Sequence, residues 1–471
     1  MTLTTSTRPS RGMLDRFLES ASTTDSPAAG SLDDVRAWLA TRAAANTFTV
    51  DQIDFADLRG WHIDSDTGDI RHDTGGFFRI RGLRVGEADG PVERWSQPII
   101  HQPEVGILGI VVREIDGVLC MLMQAKMEPG NVNMLQLSPT VQATRSNFLR
   151  LHGGAPTKFL EYFAVPGKAE TLVDVLQSEQ GGRFFHKRNR NMIVEVFEDL
   201  PVGDEHRWLT LGQVHALLRE DNLVNMDTRS VLSCLPLHGA VLTERSEPFS
   251  QAVVSSLLAR GGMTDVQNWL NHAKSRSTLT AELVPLRGLP SWQQTAREVR
   301  HVDGGYFEVI AASVVASNRE VRSWTQPLVR PCGMGVVAFL ACQVNGTLEV
   351  LVQARAEAGT RDVVELGPTV QCIPGNYAHL RPEQRPPYLD LVLGANPSNV
   401  RYDVLLSEEG GRFHHAENRY QVIEVSPEVR ATPLPPNFRW ATLGQLADLI
   451  PHSGYLNVEA RSLIACTHAL C

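Results

Sequence analysis

One segment of thirteen residues, Ser178 to Arg190 (SEQGGRFFHKRNR), recurs at Ser407 to Arg419 as SEEGGRFHHAENR with nine positions identical. The same offset of 229 residues carries Gln124 to Gln142 (QAKMEPGNVNMLQLSPTVQ) onto Gln353 to Gln371 (QARAEAGTRDVVELGPTVQ) and Gly75, Gly76 and Phe78 onto Gly304, Gly305 and Phe307. It also carries Trp95, Gln97 and Pro98 onto Trp324, Gln326 and Pro327. The register drifts only to 232 between Arg207-Trp208 and Arg439-Trp440, and to 231 between Trp38-Leu39 and Trp269-Leu270. A period this long is no solenoid repeat. It describes two copies of one domain of about 200 residues, within the usual domain size. The boundaries expected are a mobile N-terminal tail over 1–30, in which Met13 to Leu18 could form a helical turn or two against the body, a first repeat over 31–236, a linker over 237–260 and a second repeat over 261–471.

With 42% hydrophobic and 21% charged residues, a chain of 471 residues has enough apolar material for two cores. The net charge of -9 leaves no basic field to attract nucleic acid or an anionic membrane, so any anion it binds must meet local clusters of Arg and Lys. The seven cysteines, Cys120, Cys234, Cys332, Cys342, Cys372, Cys466 and Cys471, are odd in number, scattered and never spaced C-x-x-C. Free thiols in a reducing cytoplasm fit that pattern. The opening residues lack the apolar run of a secretory signal, and no stretch approaches the roughly 18 apolar residues of a membrane span. A cytoplasmic chain is expected.

Local patterns predict an α+β unit. Leu32 to Ala44 places Leu32, Val35, Trp38 and Leu39 on one helical stripe behind Ser31 as N-cap. Strands are expected over Phe77 to Val85, Val105 to Val112 and Val118 to Gln124. Asp116-Gly117 joins the last two, and Asn345-Gly346 stands at the equivalent place. Both dipeptides suit a two-residue hairpin turn that needs positive φ. A loop over 125–147 crosses to a strand near Leu135 to Gln142. Leu172 to Gln177 and Met192 to Phe197 alternate and flank the signature segment, which makes it the tip of a hairpin. Helices follow behind Thr210 and near Asn225, and residues 237–260 join the copies.

The familiar signatures G-x-G-x-x-G, the phosphate loop, G-x-S-x-G and H-E-x-x-H are absent from the sequence. Each repeat offers instead planar and cationic heads on strand ends. In the first these are Gln124, Lys126, Gln142, Arg145, Ser146, Asn147, Arg183, His186, Lys187, Arg188, Asn189 and Arg190, with Trp95, Gln97 and Phe184 beside them. In the second they are Trp324, Gln326, Gln353, Arg355, Gln371, Asn376, Arg412, His415, Asn418 and Arg419. Guanidinium forks grip a diphosphate, an aromatic face stacks a base, and amides read its edge and the sugar hydroxyls. Structural readings stand beside these. Arg183 and Arg190 could pair with Glu179 and Glu195, Trp95 and Trp324 could anchor a core, and Gly181-Gly182 reads as a turn requirement. A metal on His414-His415 is disfavoured because adjacent strand residues point to opposite faces.

The run KMEPGNVNMLQLSPTVQATRSNF, followed by FLEYF, LQSEQGGRF, KRNRNMIVEV, RWLTLGQV and NMDTRS, resembles the NDP-hexose 2,3-dehydratases of deoxysugar biosynthesis over nearly the whole chain. The resemblance implies two tandem Nudix-like domains without the R-E-x-x-E-E metal-binding helix, so no metal and no cofactor are expected. It implies a reaction on dTDP-4-keto-6-deoxy-D-glucose that removes the carbon 2 hydroxyl and leaves a ketone at carbon 3. It further implies an NADPH-dependent 3-ketoreductase as the next enzyme, a homodimer, and binding roles for Arg229 and Arg461. A Nudix-like sugar-nucleotide hydrolase and a non-catalytic binding protein are the rival readings. Each repeat is expected to hold a related nucleotide-sugar pocket. Chemistry is expected where the first-repeat loop and hairpin meet, so that Arg183 would matter and Arg412 would not, although residues from one copy could line the other's pocket. Lys126 becomes Arg355 in the second copy and Tyr162 becomes Leu391. Tyr162, with a pKa lowered by Lys126, is therefore the first choice for the proton transfer, with Glu161 its neighbour and a neutral His186 the alternative base.

Overall fold

The computed structural model describes residues 12–88, 92–148, 156–235, 247–319 and 321–470, apart from the side chains of Asn147 and Phe148. The centre of each repeat is one mixed sheet. In the first, Gly106–Ile115 and Val118–Met127 form an antiparallel hairpin, Arg188–Glu195 runs parallel to Gly106–Ile115, and Glu170–Ser178 and His206–Thr210 add at the two sides. Gly335–Val344, Thr347–Ala356, Glu417–Glu424, Val400–Ser407 and Phe438–Thr442 repeat that topology in the second. The hairpins turn at Asp116-Gly117 (φ 52° and 84°) and Asn345-Gly346 (φ 50° and 77°), the positive pair the dipeptides predicted. The strand expected near Leu135 to Gln142 is two short ones, Leu135–Ser138 and Val141–Ala143, because Pro139 donates no N–H to a ladder.

Helix starts follow their caps. Ser31 accepts from the Asp34 N–H in a capping box ahead of Leu32–Ala45, Thr210 does the same with Gln213, and Asn225 caps Met226–Leu232. Two further helices fall where a tail and a linker were expected. Met13–Ser22 packs on the first central sheet and Pro248–Leu258 on the second, with Phe17 and Val253 completely buried. An amphipathic pattern of Leu14, Phe17 and Leu18 was present, but a short helix gains its stability from the sheet it covers, which local patterning does not reveal. Residues 1–11 and 236–246 of the expected tail and linker lie outside the described residues, as does Cys471.

The repeats are not side by side; they exchange parts. Strand Phe48–Ile53 of the first pairs with Phe307–Ala316 of the second, and Thr280–Val284 of the second pairs with Arg79–Gly86 of the first. Phe307–Ala316 pairs with Ser323–Pro331, and this hairpin with the second signature segment lies against the first repeat, since the Gly130 N–H bonds to the Gly410 carbonyl at 2.8 Å and the His415 N–H to Gly130 at 2.7 Å. The mirror contact is made by Gly359 with Gly181 (2.8 Å) and His186 (2.7 Å). A Cβ on Gly130 would lie 1.4 Å from the Phe413 carbonyl oxygen, and one on Gly359 2.0 Å from that of Phe184. Gly181 and Gly182 do lie in a turn, closed by the Arg183 N–H on the Gln180 carbonyl at 3.0 Å, but neither has a positive φ; Gly181 is small because Thr360 approaches to 2.1 Å of where its Cβ would be. The positive φ of the segment falls instead on His186 (55°) and His415 (49°).

Among the described residues, no helix is long and apolar enough to cross a membrane. Phe17→Ala should cost about 3–5 kcal/mol in equilibrium unfolding, since it empties a wholly buried ring site; an unchanged denaturation midpoint would contradict the packing of that helix. Gly130→Ala must displace backbone and should lower the melting temperature markedly, whereas Gly182→Ala, with nothing within 4 Å, should not.

Candidate functional site

The exchange creates a cavity of about 460 Å³ lined by both repeats. Its floor is the first central sheet. Lys126 stands at the end of Val118–Met127, Gln142 on Val141–Ala143, Asn189 on Arg188–Glu195, and Glu128, Glu179 and Asp227 lie on the adjoining segments. The opposite wall is Trp324, Thr325 and Gln326 from strand Ser323–Pro331 with Glu409, Gly411 and Arg412 from the second signature segment. Arg59, Trp61, His72, Phe77 and Gln102 of the first repeat and Arg319 and Val321 of the second add to the lining.

The floor is held by hydrogen bonds between polar side chains. Gln142 Nε2 donates to Glu128 Oε1 at 2.9 Å, Lys126 Nζ lies 3.4 Å from the same oxygen, and Ser138 Oγ and Asn225 Nδ2 donate to Gln142 Oε1. Asn189 Nδ2 donates to Glu179 Oε1 while its Oδ1 takes the Gly106 N–H. On the wall, Trp324 Nε1 donates to Gln326 Oε1 at 2.8 Å and Gln326 Nε2 to the Gly411 carbonyl at 2.6 Å, so one amide fixes the indole and the signature segment together. Arg412 Nη1 reaches Glu409 Oε1 at 2.6 Å and Nη2 reaches Gln102 Oε1 at 2.9 Å.

Burial sets the protonation of this site. The Asp227 carboxyl is pushed well above its usual range by desolvation and then by Glu179, Glu409 and Glu128, with Lys126 opposing. Glu179 and Glu409 are also raised by burial, against the pull of Arg412. Behind them Lys187 donates to the Glu104 carbonyl at 2.5 Å, and desolvation brings its ammonium down to about 8. Such a water-poor cluster of acids and cations is suited to hold an anion and move protons.

The residues expected in one site fall into several places. Lys126, Gln142, Asn189, Trp324, Gln326 and Arg412 are brought together. Their counterparts Arg355, Gln371, Asn418, Trp95, Gln97 and Arg183 face the second repeat. Arg355 Nε bonds Glu357 at 3.0 Å, Gln371 bonds Glu357 and Asn457, Asn418 bonds Glu408, Trp95 bonds Gln97, and Gln97 bonds the Gly182 carbonyl. The Arg183 guanidinium lies 4.1 Å from the Phe307 ring centre and is brought down to about 10, chiefly by burial. The expectation that Arg183 serves the first-repeat floor is thus reversed, since the exchange sets Arg412 there.

Others have structural tasks. Arg229 and Arg461, expected to bind substrate, are 0% and 1% exposed and donate to the Ser407 and Ser178 carbonyls, each tying its helix to the other repeat. Arg190 pairs with Asp174 and Arg419 with Asp403, partners other than the Glu195 weighed above. Ser146 donates to Glu104, Asn376 accepts from the Tyr306 N–H, and Arg145 is exposed. Gln124 and Gln353 each pair with the equivalent strand of their own repeat, Leu135–Ser138 and Val364–Gly367, and neither lines the cavity. Arg188 sits half-buried outside the lining, and the Asn147 side chain lies outside the described residues.

Tyr162 is on helix Glu161–Ala164, packed on the opposite face of the first sheet, and Glu161 is exposed beside it. Its phenol is raised by desolvation and by Glu198, the reverse of the lowering expected from Lys126. His186 is held below its usual range by burial, then by Arg361 and Arg188, but its ring stacks on Phe185 outside the lining. His414 and His415 stack at 4.1 Å, and among the described residues no His, Cys, Asp and Glu group is placed to hold a metal ion. Local patterns give the acids of the cavity no role beyond an ion pair for Glu179. The signal for them was in the duplication: Glu128 recurs as Glu357, Glu179 as Glu408 and Asp227 as Glu459.

A family model described as NDP-hexose 2,3-dehydratase matches the chain twice, over residues 32–235 and 263–467. A dTDP-4-dehydro-6-deoxy-alpha-D-glucopyranose 2,3-dehydratase of Saccharopolyspora spinosa is 52% identical over 440 residues, 92% of this chain and 90% of the relative. One of the same description from Amycolatopsis orientalis is 50% identical over 97% of this chain and 94% of its own length. A Nudix hydrolase structure, RenU from M. smegmatis, is 23% identical and covers 26% of this chain and 79% of its own, with a TM-score of 0.15 at which the likeness carries no argument. The duplicated sequence, the matching pair of central sheets and these relatives together make the chain a member of the NDP-hexose 2,3-dehydratase family.

Proposed function

We propose that this enzyme is a dTDP-4-keto-6-deoxy-D-glucose 2,3-dehydratase and that the reaction takes place in the cavity shared by the repeats. The observation that supports this most is the meeting of Lys126, Gln142 and Asn189 from one repeat with Trp324, Gln326 and Arg412 from the other around a space of sugar-nucleotide size. Arg412 and Lys126 bring positive charge toward a diphosphate, Trp324 gives a face for the base, and the amides suit sugar hydroxyls.

The carbon 4 ketone acidifies the hydrogen on carbon 3. A base removes it, cationic and N–H donors stabilise the enolate, and an acid assists departure of the carbon 2 hydroxyl. The enol that results becomes a 3,4-diketo-2,6-dideoxy sugar, a labile product, so an NADPH-dependent ketoreductase is proposed as the next step. A cytoplasmic homodimer belongs to the same proposal, as does a related, separately lined pocket on the second repeat.

Mass spectrometry of enzyme with dTDP-4-keto-6-deoxyglucose should record loss of one water; release of a nucleoside monophosphate would indicate hydrolysis, and an unchanged bound ligand a binding protein. The exchange of parts gives a second expectation. Arg412→Ala and Trp324→Ala should each lower kcat/KM by about 100-fold, while Arg183→Ala and Trp95→Ala cost less than about 10-fold. Equal losses within each pair would contradict a site built across the repeats.

A further inference from the structure

Four carboxyl groups line the cavity, and their hydrogen bonds divide them. Glu128 is taken up by Lys126 and Gln142. Glu409 is taken up by the Arg412 guanidinium and by the N–H groups of Gly411 (3.0 Å) and Arg412 (2.9 Å). The other two each keep a buried oxygen with no hydrogen-bond partner, Oε2 of Glu179 and Oδ1 of Asp227, on side chains only 7% and 2% exposed. Leaving such atoms unsatisfied costs about 1–3 kcal/mol each, so a site that keeps two at its floor is arranged for something that enters.

We propose that Asp227 is the acid that protonates the departing carbon 2 hydroxyl and Glu179 the base that takes the carbon 3 proton; this rests on the dehydratase reading. Their surroundings separate the roles. Asp227 faces Glu179, Glu409 and Glu128 with Lys126 and Arg412 as the opposing charges, and burial among three acids favours its protonated form. Glu179 is raised as well, by burial and by Glu409, but it accepts from Asn189 and faces Arg412, Lys187 and Arg461, three cations that favour its ionised form over that of Asp227.

The balance closes. The carbon 3 proton passes to Glu179, and the electron pair left behind is held as the enolate of the carbon 4 ketone; as that ketone reforms, the pair makes the carbon 2–carbon 3 double bond and the carbon 2–oxygen bond breaks. The Asp227 proton joins the leaving oxygen to make water. The enol then moves its hydroxyl proton to carbon 2, giving the ketone at carbon 3, and one proton passing from Glu179 to Asp227 restores the enzyme.

A fluoride at carbon 2 needs no proton to leave, which makes the 2-deoxy-2-fluoro analogue the discriminating substrate. Asp227→Asn should bind dTDP as the wild type does, exchange the carbon 3 hydrogen with deuterated solvent, and lose water release by about 100-fold or more, yet release fluoride at close to the wild-type rate. Glu179→Gln should lose exchange, water release and fluoride release together. Equal loss of water and fluoride in Asp227→Asn, or retained exchange in Glu179→Gln, overturns the assignment. Should Asp227→Asn not fold, the wild type decides. Water release falls as pH rises and Asp227 loses its proton while fluoride release does not, and parallel profiles overturn the assignment. Wild-type protein that binds the nucleotide sugar but releases neither water nor fluoride would overturn the dehydratase reading and the assignment with it.

Discussion

The structure depends on two places where backbone meets backbone with no side chain between. Gly130 sits against the Phe413 carbonyl and Gly359 against that of Phe184, and each contact joins the QAK or QAR loop of one repeat to the signature segment of the other. Any Cβ there would push the segments apart, so these glycines are required for close approach rather than for left-handed backbone. Through them each repeat presents its hairpin and signature segment to the central sheet of its twin. Neither repeat alone holds both floor and wall of the cavity.

Buried arginines consolidate the same exchange. Arg229 and Arg461 bring positive charge into regions without solvent, which is costly unless every donor is used well. Both spend their terminal nitrogens on backbone carbonyls, Val224 and Ser407 for one, Leu456 and Ser178 for the other, and leave the buried Nε without a hydrogen-bond partner. Arg229 also lies 5.3 Å from the Tyr420 ring centre. The carbonyls they receive terminate the strands that lead into the signature segments, so the position of Glu179 and Glu409 is inherited from helices of the opposite repeat.

The two halves have diverged where charge matters. Beside the first floor stand Lys126, Asp227 and Glu409; at the matching places of the second stand Arg355, Glu459 and Gln180. Gln180 is turned inward to donate to Glu408 at 2.8 Å, and Arg355 is engaged with Glu357. The second set thus has a guanidinium that grips its neighbour and an amide in place of an acid, so the two floors differ in the groups able to carry a proton.

Much of this was legible along the chain. The repeat, the two hairpin turns at Asp116-Gly117 and Asn345-Gly346, and the helix starts at Ser31, Thr210 and Asn225 are local matters of φ, spacing and capping, and local patterns report them. So is the residue inventory of the site, since Lys126, Gln142, Asn189, Trp324, Gln326 and Arg412 were all among the candidates. Which of two equivalent residues faces which floor is not local. Arg183 and Arg412 have nearly identical sequence surroundings, and only the pairing of Phe48–Ile53 with the second repeat and Thr280–Val284 with the first assigns them. The same holds for Tyr162 and Asp227: the sequence reading pointed to Tyr162 and passed over Asp227, and the tertiary structure set the first behind the sheet and the second, desolvated among acids, in the cavity, because burial and neighbouring charge are properties of the packed chain.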